Sequence, residues 1–176
     1  MKRIALAVVA AASFATAAQA QQRFASSSLF LEGGGPGLLY SVNYELLFDG
    51  DYGIRAGFSY QPLSASGSPE RVNLFAVPIL ITHLISFRSS ALELGGGATI
   101  IKADGAGSGN GVSVPSAGTT VIGTATLGYR FQPPAGGFQF RIGVEALVGK
   151  GLATHNPDPN SLGVLPWMYL SIGYSM

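Results

Sequence analysis

Large apolar residues take every second position of the closing segment PWMYLSIGYSM. Met176, Tyr174, Ile172, Leu170 and Met168 share one face, and Ser175, Gly173, Ser171, Tyr169 and Trp167 share the other. A period of two is the repeat of a β-strand, whose successive side chains point to opposite sides. The same alternation runs through earlier segments. One sets Leu38, Tyr40, Val42, Tyr44, Leu46 and Phe48 against Leu39, Ser41, Asn43, Glu45 and Leu47. Another sets Tyr52, Ile54, Ala56, Phe58 and Tyr60 against Gly53, Arg55, Gly57, Ser59 and Gln61. Strands with one greasy and one small or polar face, about ten residues long, meet the requirement for crossing a bilayer as a closed barrel.

The pattern predicts eight strands, over residues 26–33, 38–48, 52–61, 73–85, 91–102, 119–131, 138–148 and 167–176. Between them stand turn-forming stretches rich in Gly, Pro, Ser, Asn and Asp. The long connections follow the third, fifth and seventh strands, and short ones follow the second, fourth and sixth. Outer-membrane barrels have short periplasmic turns, longer external loops and an even strand count. The expected fold is therefore an all-β, eight-stranded, antiparallel, up-and-down transmembrane barrel with both termini periplasmic. Its first external loop, GGGPG, is short for that scheme.

The faces carry a second signal. The strand charges Glu32, Glu45, Arg55, Glu93, Arg130, Arg141 and Glu145 all fall on the face opposite the large apolar residues. Lys102, at a strand end, is the exception, and its stem is long enough to snorkel. A lipid-facing charge near the bilayer midplane costs roughly 2–4 kcal/mol, so a bilayer imposes this segregation. Aromatics gather near the strand ends on the apolar face. Phe48, Tyr52, Phe131, Phe138 and Tyr174 lie at one end and Tyr40 and Tyr60 at the other, as in two interfacial girdles. In the fourth strand Pro78, Leu80 and Leu84 fall on the inward parity, which makes it the least polar inside. A soluble lipocalin-like ligand carrier also alternates, with its large apolar residues inward around a cavity. Strand length, the closing strand and the end-clustered aromatics favour the membrane reading.

The start of the chain agrees. Lys2 and Arg3, the apolar stretch IALAVVAAASFA and the small-residue site Ala18-Gln19-Ala20 make residues 1–20 a cleaved secretory signal, with the barrel over 21–176. Without Lys2 and Arg3, eight of the ten basic residues remain against nine acidic ones, so the mature charge is −1. That balance gives no footprint for nucleic acid. With no cysteine there are no disulfides and no thiolate metal site. The chain is 47% hydrophobic, yet no apolar run after Ala20 is long enough for a spanning helix.

Three segments, LEGGGPGLLYSVNYE, YRFQP-AGGF-FRIG and PW--LSIGYS, resemble the small eight-stranded outer-membrane barrels of Gram-negative bacteria, the OmpA/OmpX-type architecture. More narrowly, they resemble a poorly characterised group of such barrels. The resemblance implies fold and location and no catalytic residues. It implies outer-membrane lipids as surroundings, and the barrel-insertion machinery as a partner during biogenesis. The last strand resembles the terminal insertion signature of these barrels, carried here by Leu170, Ile172, Tyr174 and Met176, with Met176 where Phe or Trp is usual. Nothing follows the eighth strand, so no peptidoglycan-binding domain of the OmpA kind is expected.

Chemistry is sparse. Outer-membrane hydrolases pair His with Ser, and the chain has two histidines. His83 falls on the apolar face near a strand end, where an interfacial role is expected. His155 lies in THNPDPN, away from any recognisable Ser spacing. Gly107-Ser108-Gly109-Asn110-Gly111 lacks the following helix that a phosphate cradle needs. His155, Asn156, Asp158 and Asn160 belong to ordinary Asp-Pro and Asn-Pro turns. The expectation is a non-enzyme without cofactor or metal, acting structurally or through external loops on a ligand the sequence does not name. A narrow channel for small solutes is the alternative. An eight-stranded barrel is just wide enough for side chains to fill. The seven inward charges should therefore pair as a lumen network, with inward Gly53, Gly57, Gly95, Gly97, Gly128, Gly143 and Gly173 making room for the arginines. Across the Asp49-Gly50-Asp51 turn, Glu45 should stand opposite Arg55 and bond to it.

Overall fold

Each strand pairs antiparallel with its sequence neighbours, and the first closes on the last. The structure is a computed structural model that describes residues 24–64, 71–104, 107–109, 112–114, 118–150, 152 and 161–176. The barrel strands are β1 (Ser27–Gly34), β2 (Tyr40–Phe48), β3 (Tyr52–Ser64), β4 (Arg71–Phe87) and β5 (Ser90–Asp104), then β8 (Gly118–Phe131), β9 (Gly137–Lys150) and β10 (Leu162–Ser175). A small separate hairpin, β6 (Gly107–Gly109) with β7 (Val112–Val114), follows β5. The order β1-β10-β9-β8-β5-β4-β3-β2 closes one up-and-down barrel of eight strands, as the alternation predicts. The signal segment and the THNPDPN loop with His155, Asn156, Asp158 and Asn160 lie outside the described residues.

Two turns at the end where Ser27 meets Met176 are tight, after β2 and after β4. Asp49 and Gly50 have φ of 52° and 81°, the two positive values of a type I′ hairpin turn, which Asp-Gly adopts readily. Phe48 then pairs with Tyr52, and Glu45 with Arg55. Phe87 pairs with Ser90 across the two residues Arg88 and Ser89.

At the opposite end several strands outrun their sequence-based limits. β3 reaches Ser64, β5 reaches Asp104, and β10 begins at Leu162 instead of residue 167. Pro166 interrupts the reading of β10 because it cannot donate to a ladder. It is accommodated because β1 pairs with β10 only as far as Gly34 with Tyr169. Beyond that point β10 has β9 alone as neighbour. Of the Gly-rich segment that could suggest a phosphate cradle, Gly107–Gly109 form a strand of the small hairpin, and Asn110 and Gly111 lie outside the described residues.

The first connection is a structural surprise. Gly35–Gly37 form a single 3-10 turn that is buried, not raised above the rim. It touches β1 to β5 and β9 and β10, and so lies across the barrel mouth. Thr99 Oγ1 donates to the Pro36 carbonyl at 2.9 Å and Gln61 Nε2 to the Gly37 carbonyl at 2.7 Å. Gly34 and Gly35 hold φ of 71° and 75°, which side-chain-bearing residues rarely adopt. A Cβ on Gly35 would also strike the Glu32 carboxylate. The other end is shut by Phe24, which packs with Leu47, Leu84 and Ala91.

Candidate functional site in the barrel lumen

Parity places the inward residues, and all seven predicted charges are inside: Glu32, Glu45, Arg55, Glu93, Arg130, Arg141 and Glu145 are buried. Lys102 is on the outside near the strand end, where its Nζ lies 3.4 Å from Asp104. Two ionic groups form. In the first, Arg55 pairs with Glu32 through Nη2 and donates from Nε to Asn43 Oδ1 at 3.2 Å. In the second, Arg130 and Arg141 both reach Glu45 and both reach Glu93, making a closed ring of two cations and two anions. Glu45 also accepts from Thr82 Oγ1 at 2.9 Å and from Ser28 Oγ at 3.4 Å. Such saturation is what a buried carboxylate requires.

The register therefore agrees with the expected opposition of Glu45 and Arg55, but their expected bond is corrected. Arg55 turns away to Glu32 and Asn43, while Glu45 is taken by arginines from the far wall. In a narrow barrel a long side chain reaches across the lumen as easily as to its ladder partner. Glu145 joins neither group: both of its carboxyl oxygens lack a partner.

The inward glycines make room for other side chains than the arginines. A Cβ at Gly57 would strike Asn43, and one at Gly53 would strike Thr82. Gly173 lies under Phe30, and Gly128 and Gly143 accommodate the ring and hydroxyl of Tyr169. Phe30 and Tyr169 are the inward residues that charge-based reading passes over. Phe30 is 2% exposed and sits between two guanidinium groups, with Arg141 Cζ 3.9 Å and Arg55 Cζ 5.0 Å from its ring centroid. Its even-numbered position beside Glu32 was the available signal. Gln139 completes the layer, accepting from Arg141 Nε at 2.5 Å and Nη2 at 2.7 Å when its amide oxygen faces the guanidinium.

Outside, the predicted aromatics are where parity put them. Tyr40, Phe48, Tyr52, Tyr60, Phe138 and Tyr174 are exposed on the outer face, and Phe131 is half-buried there. Tyr174 pairs with Phe138, and Tyr52 stacks on His83 at 4.6 Å, which accounts for that histidine as a member of the outer rim. At the opposite end Tyr40 donates to the Tyr60 carbonyl, and the Tyr60 ring lies 5.0 Å from Phe75. Leu170, Ile172 and Tyr174 form an exposed outward row on β10, continued by Met176 just past its end. The outer wall also has a groove of about 1360 Å³ over β8 to β10. Small residues in register, Ala125, Ala146 and Pro166, floor it, and Leu127, Met168 and Leu170 flank it.

No family model matches the chain, and no curated protein matches it in sequence. Among solved structures, it is similar to the N-terminal β-barrel domain of Pseudomonas aeruginosa OprF. The TM-score is 0.50 at 10% identity, over 85% of this chain and 95% of that one. At that identity the likeness is one of fold.

Proposed function

We propose that this protein is an integral outer-membrane barrel without enzymatic activity, structural in its barrel and available for binding or adhesion through its longer loops. One observation carries the reading, the division of the wall. Among the described strand residues, charges between the two ends of the barrel face inward and most large apolar side chains face outward, with Phe30, Leu80, Leu84 and Leu147 among the buried exceptions. A lipocalin-like carrier needs the reverse, an apolar cavity inside and a solvated face outside. The aromatics at both rims suit the two membrane–water interfaces, and the apolar groove over β8 to β10 suits lipid acyl chains. The filled lumen, shut by Phe24 at one end and Gly35–Gly37 at the other, favours a structural role over conduction. The shared fold with the OprF barrel domain supports the location.

The test is cell fractionation of the untagged protein, followed by electrophoresis with and without heating. The expected result is recovery with outer membranes and a heat-dependent shift in mobility. Recovery of folded protein from the soluble periplasmic fraction would overturn the proposal.

A further inference from the structure

Among the described residues, four glutamates and three arginines line the interior, and the arginines are consumed by Glu32, Glu45 and Glu93. Glu145 is left over. It is 4% exposed, and neither oxygen has a hydrogen-bond partner. Arg141 stands on the same face of the same strand but does not reach it. The inward position between them is Gly143, and the ring of Tyr169 lies over that glycine with its hydroxyl at Gly128. The ring thus forms a floor that separates the Arg130–Arg141 layer from the compartment above it.

Several oxygens face the compartment, beside the buried Leu147 and Ile122. Thr126 stands directly opposite Glu145 in the β8–β9 ladder, and Thr124 lies one inward position further on. The hydroxyls of Thr124, Thr126 and Tyr169 are buried without partners, as is one oxygen of Glu32. Among the described residues no group of three or more His, Cys, Asp and Glu is arranged for a metal ion, so a polycarboxylate divalent site is not the match. The charged neighbours of Glu145 are Glu32 and Arg55, which are bonded to each other, so Glu145 has no counter-charge of its own and calls for one positive charge. A buried anion with no counter-charge is strongly unfavourable, and hydroxyl and carboxylate oxygens are hard ligands for a hard cation.

We propose that Glu145, with Thr124, Thr126 and Tyr169, forms a monovalent-cation site in the half of the lumen above the Tyr169 ring, taking a sodium or potassium ion that neutralises the odd carboxylate. The site is a structural one: the ion completes the charge balance of the lumen and stiffens the wall formed by β8 to β10.

The experiment uses the mature barrel folded in detergent micelles at neutral pH and compares KCl or NaCl with choline chloride at equal ionic strength. Choline is too large to enter between packed side chains. The temperature at which the compact gel form disappears should rise saturably, by about 5–10 °C at high occupancy, with the small ions only. Glu145→Gln should abolish the dependence on ion identity, and Tyr169→Phe should raise the half-saturating concentration several-fold. Equal midpoints for the wild type in KCl and choline chloride would overturn the site, as would an undiminished potassium effect in Glu145→Gln. If Glu145→Gln yields no folded barrel, sodium NMR of the wild type decides. Saturable line broadening reversed by potassium supports the site, and its absence refutes it. An infrared band of a protonated carboxyl in the wild type in KCl, removed in Glu145→Gln, would show that a proton does the ion's work and would also refute it.

Discussion

Glu45 is the most heavily engaged acceptor in the lumen, taking bonds from Arg130, Arg141, Thr82 and Ser28. Removing it leaves the two guanidinium groups with Glu93 as their one carboxylate partner. Glu45→Ala should cost about 3–5 kcal/mol in urea unfolding from detergent or vesicles, the usual effect of breaking a buried pair from one side. Double-mutant cycles separate the real partners from the register partners. Glu32 with Arg55, each changed to Ala, should show coupling well above 0.5 kcal/mol, roughly the level at which independent sites add. Glu45 with Arg55 should show clearly less, although they face each other in the ladder. Coupling of equal size in both cycles would contradict the ionic groups described above. The contrast marks what was legible in the sequence. Parity along a strand fixes the face of Glu32, Glu45, Arg55 and Glu145, because the backbone repeat leaves no choice. It does not fix the partner, because a guanidinium at the end of a long stem can cross an eight-stranded lumen and choose among several walls. The same limit hid the roles of Phe30 and Tyr169: parity puts Tyr169 on the inward face and Phe30 beside Glu32, but nothing local names what their large rings pack against.

Strand existence was legible and strand length was not. The turns at the end shared by Ser27 and Met176 carry strong chemistry, such as Asp49-Gly50, and their neighbouring strands begin where expected. At the other end β3 and β10 continue through Pro62, Ser64, Gly163 and Pro166, and β5 through Ala103 and Asp104, because ladder pairing with an adjacent long strand outweighs weak local propensity. The GGGPG connection misled for a related reason. Glycine and proline announce a turn, but nothing local says that the turn folds inward onto Gln61 and Thr99. The closing strand supports a prediction of its own. Met176 hydrogen-bonds Ser27 in both directions, N–H to carbonyl and carbonyl to N–H, and its side chain is exposed on the outer face. It thus lies at the β1–β10 seam and at the end of the row proposed as an insertion signal. Met176→Asp should lower the yield of heat-modifiable barrel in cells, while Met176→Phe should match or exceed the wild type. Equal assembly of the Asp variant and the wild type would remove the signal role from this residue.

The lumen is obstructed three times over along its axis. Phe24 with Leu47, Leu84 and Ala91 fills one end. The ring of Arg130, Glu45, Arg141 and Glu93 spans the middle, with Phe30 wedged against the guanidinium of Arg141. The buried Gly35–Gly37 turn covers the other end. A barrel of this strand number has little width beyond its own side chains, so the charged ring and the Phe24 cluster are each enough to stop an ion file. Purified protein in planar bilayers should therefore give no steady ohmic conductance. The layers are also separable, which makes the claim stricter. Changing Gln61 and Thr99 to Ala removes the hydrogen bonds that hold the mouth turn, at a cost of about 0.5–1.5 kcal/mol each, or somewhat more where a carbonyl is left unpaired. That double variant should lose protection of the Gly35 and Gly37 amides in hydrogen exchange and still remain electrically silent, because the charged ring and the Phe24 cluster are untouched. Regular open–closed steps in the wild type would mean that the lumen is a pore after all. Steps appearing only in the Gln61 and Thr99 double variant would make the mouth turn the sole barrier and leave the charged ring permeable.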